Sequence, residues 1–212
     1  MRVKRYQPLQ RRVRLALLMM SLGLSLGLGL TAGRAVAQAP SAQTLQLCAA
    51  CHGDKGNSRL PGSPSLAGQP RIFIENQLVM IREGLREVAP MKGLLADMKD
   101  DEFTLLAKYF SEQKIQPEPA PIDLAKAARG ALLSKRGHCG SCHLPDYAGR
   151  EQMPRLAGQR EDFLLSSMKE FRDGRATGRD TIMASTLRGM TDTELTDLAH
   201  YLATSGRGKL QQ

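Results

Sequence analysis

"LQLCAACHGDKGN" (residues 45–57) and "HCGSCHLPDYAGR" (residues 138–150) hold all four cysteines of the chain, each pair followed directly by a histidine. Cys48, Cys51 and His52 in the first stretch correspond to Cys139, Cys142 and His143 in the second. The likeness extends outward. "PSLAGQPRIFIENQLVMIREG" (64–84) lies over "PRLAGQREDFLLSSMKEFRDG" (154–174), and "MKGLLADMKDDEFTLLAKYF" (91–110) over "MASTLRGMTDTELTDLAHYL" (183–202). Self-similarity of this kind marks two copies of one structural unit. Between them, "QPEPAP" (116–121) has proline at alternate positions, which favours an extended linker. The expected organisation is therefore two modules, 38–116 and 117–212, joined at about 116–121.

Both modules carry helical periodicity. Ile74, Leu78 and Ile81 recur as Leu164, Met168 and Phe171, spaced i, i+4, i+7. Phe103, Leu106 and Phe110 recur as Leu195, Leu198 and Leu202, spaced i, i+3, i+7. "IDLAKAARGALLSKRG" predicts an extra helix before the second motif, where the first module has only "SAQTLQL". Alternating strand patterns are absent, so the fold class is all-α. Modules this small bury little core unaided, and something else should fill the centre of each.

Three chemistries use a CxxC pair. A thioredoxin-like redox pair needs a βαβ context that neither copy has. A structural zinc site needs four ligands, and CxxCH offers three. Covalent haem uses all three residues, with two thioethers to the cysteines and one bond from histidine to iron. Two copies inside a repeated helical module, consuming every cysteine, predict two covalently bound haem c groups. Each would also supply the missing core.

The sixth ligand to each iron has to come from another segment. His138 and His200 have no counterpart in the first module, where Leu47 and Lys108 stand, and read as surface or helix-side histidines. Two methionine pairs recur, Met91/Met183 and Met98/Met190. "MTDTEL" reads as a capping box, with Thr191 at the N-cap, Glu194 at N3 and Met190 stapled onto Leu195. Met98 stands in the same relation to Phe103, so packing accounts for the inner pair. Met91 and Met183 are expected in loops free to cross a haem face, and are the candidate distal ligands. A ligating histidine normally donates its other ring N–H to a fixed acceptor. The carbonyls of Pro64 and Pro154, on residues of fixed φ, suit that role.

The first 37 residues read differently. A basic start is followed by "LALLMMSLGLSLGLGL" (15–30) and the small-residue segment "GRAVAQAP", the pattern of a secretory signal peptide cleaved after Ala37. An apolar stretch of sixteen residues with three glycines is short for a bilayer span. The segment holds seven of the 30 basic residues and none of the 21 acidic ones, so 23 against 21 remain beyond it. The formal charge of +9 therefore does not describe the mature protein, and with 4% aromatic residues nucleic-acid binding is set aside.

Taken together, "CAACHGDKGNS", both "LAGQ" segments, "REG" and "RDG", the loop methionines, "LLAKYF" and "LAHYL" resemble the di-haem cytochrome c4 family of tandem class I c-type cytochromes. The resemblance implies two all-α haem domains, with His52 and His143 as proximal and Met91 and Met183 as distal iron ligands. It places Pro64 and Pro154 on the proximal side. For Arg82 and Arg172 it leaves open a propionate contact or a solvated helix face. The second motif departs from the family in reading "LPDYAG" in place of a glycine-rich turn. The implied function is that of a periplasmic one-electron carrier, not an enzyme. Its expected partners are redox proteins: an upstream dehydrogenase or quinol-oxidising complex, and a downstream oxidase. Peripheral association with a membrane is a further expectation. The alternative is an electron-transfer subunit of a periplasmic dehydrogenase complex. A di-haem peroxidase is disfavoured, because paired methionines close both irons to substrate.

Overall fold

The two apolar periodicities fold as helices in both halves of the chain. The computed structural model describes residues 39–207. In the N-terminal half, α1 spans Ala42–His52, α2 Arg71–Arg82 and α3 Asp100–Ser111, with short 3₁₀ turns at Asp54–Gly56 and Ala89–Met91. In the C-terminal half, α4 spans Leu124–Arg136, α5 Cys139–His143, α6 Glu161–Arg172, α7 Thr181–Leu187 and α8 Asp192–Thr204. Among the described residues there is no strand beyond one isolated bridge between Arg150 and Met153. The expected signal peptide, 1–37 with cleavage after Ala37, lies outside the described residues. No described helix is long and apolar enough to cross a membrane.

Local chemistry sets the helix starts. Ser41 accepts the N–H of Thr44 to begin α1, and Asp123 accepts those of Ala125 and Lys126 to begin α4. The expected capping box opens α8: Thr191 Oγ1 accepts from the Glu194 N–H, and the Glu194 carboxylate accepts from the Thr191 N–H. In α3 only half of that device is built by side-chain contacts. Glu102 accepts the Lys99 N–H, and Asp100, Asp101 and Glu102 place negative charge at the positive end of the helix dipole.

The expected apolar faces meet in two cores. In the C-terminal half Leu164, Met168, Leu187, Leu195, Leu198, Ala199 and Leu202 are buried together with Tyr147. The N-terminal core is smaller, built on Ile74, Leu106, Ala107 and Phe110. The helix α4 that precedes the second motif crosses α8 closely. At the crossing Gly130 faces the Asp197 backbone, where a side chain would have no room. Arg129 reaches the buried Asp197 carboxylate through two nitrogens, at 2.6 and 2.8 Å. This pairing holds the Asp197 carboxyl below the usual aspartate range. Ser134 bonds Tyr147 at 2.8 Å, tying α4 to the turn that follows the second cysteine motif.

Residues 117–121 form no regular secondary structure, and the segment is anchored. Asn57 donates to the Lys114 carbonyl and accepts from the Gln116 N–H. Further along, Glu118 pairs with Arg160 at 3.3 Å, and Arg207 donates to the Ala120 carbonyl.

Candidate metal centres

Each CxxCH motif ends a helix, and each histidine is turned inward. His52 closes α1 and His143 closes α5; they are 8% and 4% exposed, so neither ring is available to bulk solvent. His52 Nδ1 lies 2.8 Å from the Pro64 carbonyl oxygen, and His143 Nδ1 lies 2.8 Å from that of Pro154. A carbonyl only accepts, so each ring carries its proton on Nδ1 and leaves the Nε2 lone pair free. Burial pushes both imidazoles below their ordinary pKa, against the opposing pull of the carbonyl, which keeps the rings neutral. His143 Nε2 is buried without any hydrogen-bond partner. An orphan of that kind costs about 1–3 kcal/mol, and a metal ion bound to it removes the penalty.

None of the four cysteines is joined to another in a disulfide. Cys48 and Cys139 pack against the two cores, whereas Cys51 and Cys142 are exposed. Among the described residues no three His, Cys, Asp or Glu side chains converge as a metal-binding group. A neutral histidine with an open Nε2, next to two unpaired cysteines on one short helix, fits covalently attached haem in both halves.

The turn after each histidine shows why the sequence departure at "LPDYAG" changes so little. Gly53 has φ 75° and Gly56 φ 77°; their counterparts Leu144 and Tyr147 have φ 70° and 56°. The carbonyl of Gly56 accepts from the N–H groups of Leu66 and Ala67, and that of Tyr147 accepts from those of Leu156 and Ala157. The next glycine of each "LAGQ" segment is then fixed to a helix end, Gly68 to the Phe110 carbonyl and Gly158 to that of Leu202. Two non-glycine residues thus hold positive φ so that the proline loop hangs over its histidine in the same way.

The methionines divide less cleanly than the sequence suggests. Met91 ends the 3₁₀ turn Ala89–Met91 and is half-buried, as expected for a loop position. Met183 is not in a loop: it sits within α7, which Asp180 caps by accepting the Ile182 N–H. Met98 and Met190 pack against their cores, as the staple reading requires, but Met183 also touches the C-terminal core. Packing alone separates ligand from staple only in the N-terminal half.

Arg82 and Arg172 have a role that the sequence left open. Arg82 donates to the Met98 carbonyl at 3.0 Å and pairs with Asp100; Arg172 donates to the Met190 carbonyl at 3.1 Å and pairs with Asp192. Both brace the segment running from the candidate methionine into the last helix. His138 stands at φ 52° before α5, a conformation that histidine tolerates better than most residues. His200 is neither exposed nor idle. Its Nε2 accepts the Asp123 N–H, and its Nδ1 meets Glu161 at 2.8 Å, joining α4, α6 and α8. Sequence reasoning missed this tie, because no local pattern relates positions 123, 161 and 200.

Two helical halves, each with a buried, carbonyl-oriented histidine beside a cysteine pair, define a di-haem c-type cytochrome. Comparison with known proteins agrees. The Cytochrome c family model matches residues 127–206. Cytochrome c4 of Pseudomonas aeruginosa is 34% identical over 196 residues, spanning 87% of this chain and 94% of that protein. The thiosulfate dehydrogenase electron acceptor of Thiomonas intermedia is 34% identical, over 74% of this chain and 77% of its own. The structure of reduced cytochrome c4 from Pseudomonas stutzeri superposes with a TM-score of 0.70 at 30% identity, covering 79% of this chain and all of that one. The chain belongs to the cytochrome c4 family. It is an electron carrier rather than an enzyme, with two tandem cytochrome c domains and two covalently bound haem c groups.

Proposed function

We propose that His52 and Met91 ligate the iron of the N-terminal haem, and His143 and Met183 that of the C-terminal haem. Cys48, Cys51, Cys139 and Cys142 form the thioethers in this reading. The observation that carries it is the matched contact of each histidine Nδ1 with a proline carbonyl, which aims Nε2 away from the protein's own acceptors. When bound, each haem supplies a one-electron Fe(III)/Fe(II) couple. The chain does the rest. Pro64 and Pro154 fix ring orientation and raise the basicity of the histidines. Arg82 and Arg172 hold the segments that follow the candidate methionines. The buried flanks exclude water, and a thioether as sixth ligand raises the potential.

The protein acts in the periplasm, after export and cleavage behind Ala37, and its domains are 38–116 and 117–212. Upstream stands a dehydrogenase or a quinol-oxidising complex, and downstream an oxidase. The test is replacement of each methionine. Met91→Ala and Met183→Ala should each abolish the sulfur-to-iron charge-transfer band of one haem and lower its potential, while Met98→Leu and Met190→Leu preserve both bands. Loss of the band in Met190→Leu with Met183→Ala unaffected would reverse the assignment.

The relative named as a thiosulfate dehydrogenase electron acceptor supports a second reading, a dedicated acceptor held by one dehydrogenase. Stable co-purification with such an enzyme at physiological salt would select it over the freely diffusing carrier.

A further inference from the structure

The two "LAGQ" glutamines are buried, at 3% and 4% exposure, and each bonds the backbone of the other half. Gln159 Oε1 accepts from the Ser65 N–H at 2.8 Å, and its Nε2 donates to the Ser65 carbonyl at 2.9 Å. Gln69 Oε1 accepts from the Arg155 N–H at 2.9 Å, and its Nε2 donates to the Arg155 carbonyl at 3.0 Å. Ser65 and Arg155 each follow a proximal proline. The Ser65 N–H and the Pro64 carbonyl therefore belong to one peptide group, as do the Arg155 N–H and the Pro154 carbonyl. On one side each peptide group donates to a glutamine of the opposite half; on the other it accepts from the candidate ligand histidine of its own half.

A peptide whose N–H is engaged carries more negative charge on its oxygen, because hydrogen bonds in series polarise one another, by about 10–30% per bond. A more negative Pro64 or Pro154 oxygen draws the Nδ1 proton further and makes the imidazole a stronger donor to iron, which favours the ferric state. We propose that Gln69 and Gln159 are crossed positioning residues: Gln159 sets the proximal histidine of the N-terminal haem and Gln69 that of the C-terminal haem. Each half thereby tunes the potential of the other through a single peptide group. This rests on the assignment of His52 and His143 as axial ligands. The chains are short and direct, because the glutamine, the peptide group and the imidazole are consecutive hydrogen-bonded partners.

The test is Gln159→Met and Gln69→Met in the di-haem protein, near-isosteric changes that remove the amide. An NMR redox titration follows each haem separately, and ¹⁵N-histidine labelling follows the four ring systems. Gln159→Met should raise the potential of the haem at His52, leave that at His143 in place, and speed solvent exchange of the His52 Nδ1 proton. Gln69→Met should do the converse. If a methionine variant fails to fold, Gln159→Leu or Gln69→Leu removes the same amide with a smaller side chain, and should raise the potential of the same opposite-half haem. A shift confined to the mutated half, an equal shift of both haems, or none would overturn the crossed arrangement. If the labelled wild-type protein shows His52 or His143 without haem-induced shifts, the ligand assignment itself falls. Haem-shifted rings with unmoved potentials would sink only the glutamine proposal.

Discussion

Replacing Gly130 with alanine sets two effects of opposite sign against each other. Gly130 lies inside α4, where alanine is better than glycine by about 0.8–1 kcal/mol in helix propensity. Propensity alone predicts a more stable protein. At the crossing, however, a Cβ on residue 130 would overlap the Asp197 carbonyl oxygen and stand 2.5 Å from Tyr201 Cβ and 2.8 Å from the Asp197 carbonyl carbon. Ordinary contact begins at 3.4 Å, and none of these atoms sits at the end of a flexible side chain. No rotamer change can relieve the overlap, so α4 and α8 must separate by roughly 1 Å, a gap that forfeits a quarter to a half of each contact well. Overpacking costs about 1–3 kcal/mol, and a site that cannot yield belongs at the upper end. Subtracting the propensity gain leaves a net destabilisation of about 1–2 kcal/mol, or a fall in Tm of roughly 5–10 °C for a unit of this size. Far-UV circular-dichroism melting of the ferric protein at neutral pH measures it. Gly140→Ala is the control, because its nearest non-helical atom is 3.4 Å away and Ala49 occupies the matching place in the first motif. A Gly130→Ala protein that melts at or above the wild-type temperature would refute the close crossing.

Three further outcomes are expected. Cleaving the chain between Pro117 and Pro121 should leave the halves associated in gel filtration, because Gln69, Arg155 and Gln159 bridge them through buried bonds; fragments eluting apart at micromolar concentration would contradict this. Arg129 holds the Asp197 carboxyl below its unfolded value, so the pair stabilises the fold above the ordinary aspartate pKa of about 3.9 and is lost as pH falls through the lower folded value. Asp197→Asn should therefore lower Tm at neutral pH, and its deficit should shrink in acid; a constant deficit down to strongly acidic pH would exclude this linkage. The C-terminal haem should have the higher potential. Residues 117–212 carry fourteen basic against twelve acidic side chains, where 38–116 carry nine of each. One charge at roughly 12 Å and an effective dielectric near 40 contributes about 0.7 kcal/mol, or about 30 mV for one electron. Redox titration of two single-haem variants checks the order, and a higher potential at Cys48, Cys51 and His52 would reverse it.

The sequence was sufficient for the class of fold and for the chemistry of the centres, because both rest on local spacing. A CxxCH run puts two thiols and an imidazole on one short helix whatever surrounds it. The i, i+4, i+7 stripes of Ile74 and Leu164 needed only helical geometry to face a core. The Thr191–Glu194 box was equally local, as was the fixed φ that singled out Pro64 and Pro154. Features built from distant parts of the chain were not legible. Arg82 and Arg172 brace the Met98 and Met190 carbonyls across sixteen and eighteen residues, and a pattern search sees only two charges on a helix. His200 binds Asp123 and Glu161 through contacts that exist only once three helices have met. Leu144 and Tyr147 adopt the conformations of Gly53 and Gly56 because the carbonyl of residue 147 must still receive the Leu156 and Ala157 amides. A backbone hydrogen-bond requirement of that kind leaves no mark on side-chain identity. The two glutamines are visible as a repeated "LAGQ", and the repeat alone places each only within its own module. Only the packing of the halves shows that they serve each other, since a side-chain amide matches a peptide group in any register and only its tertiary position selects which one it binds.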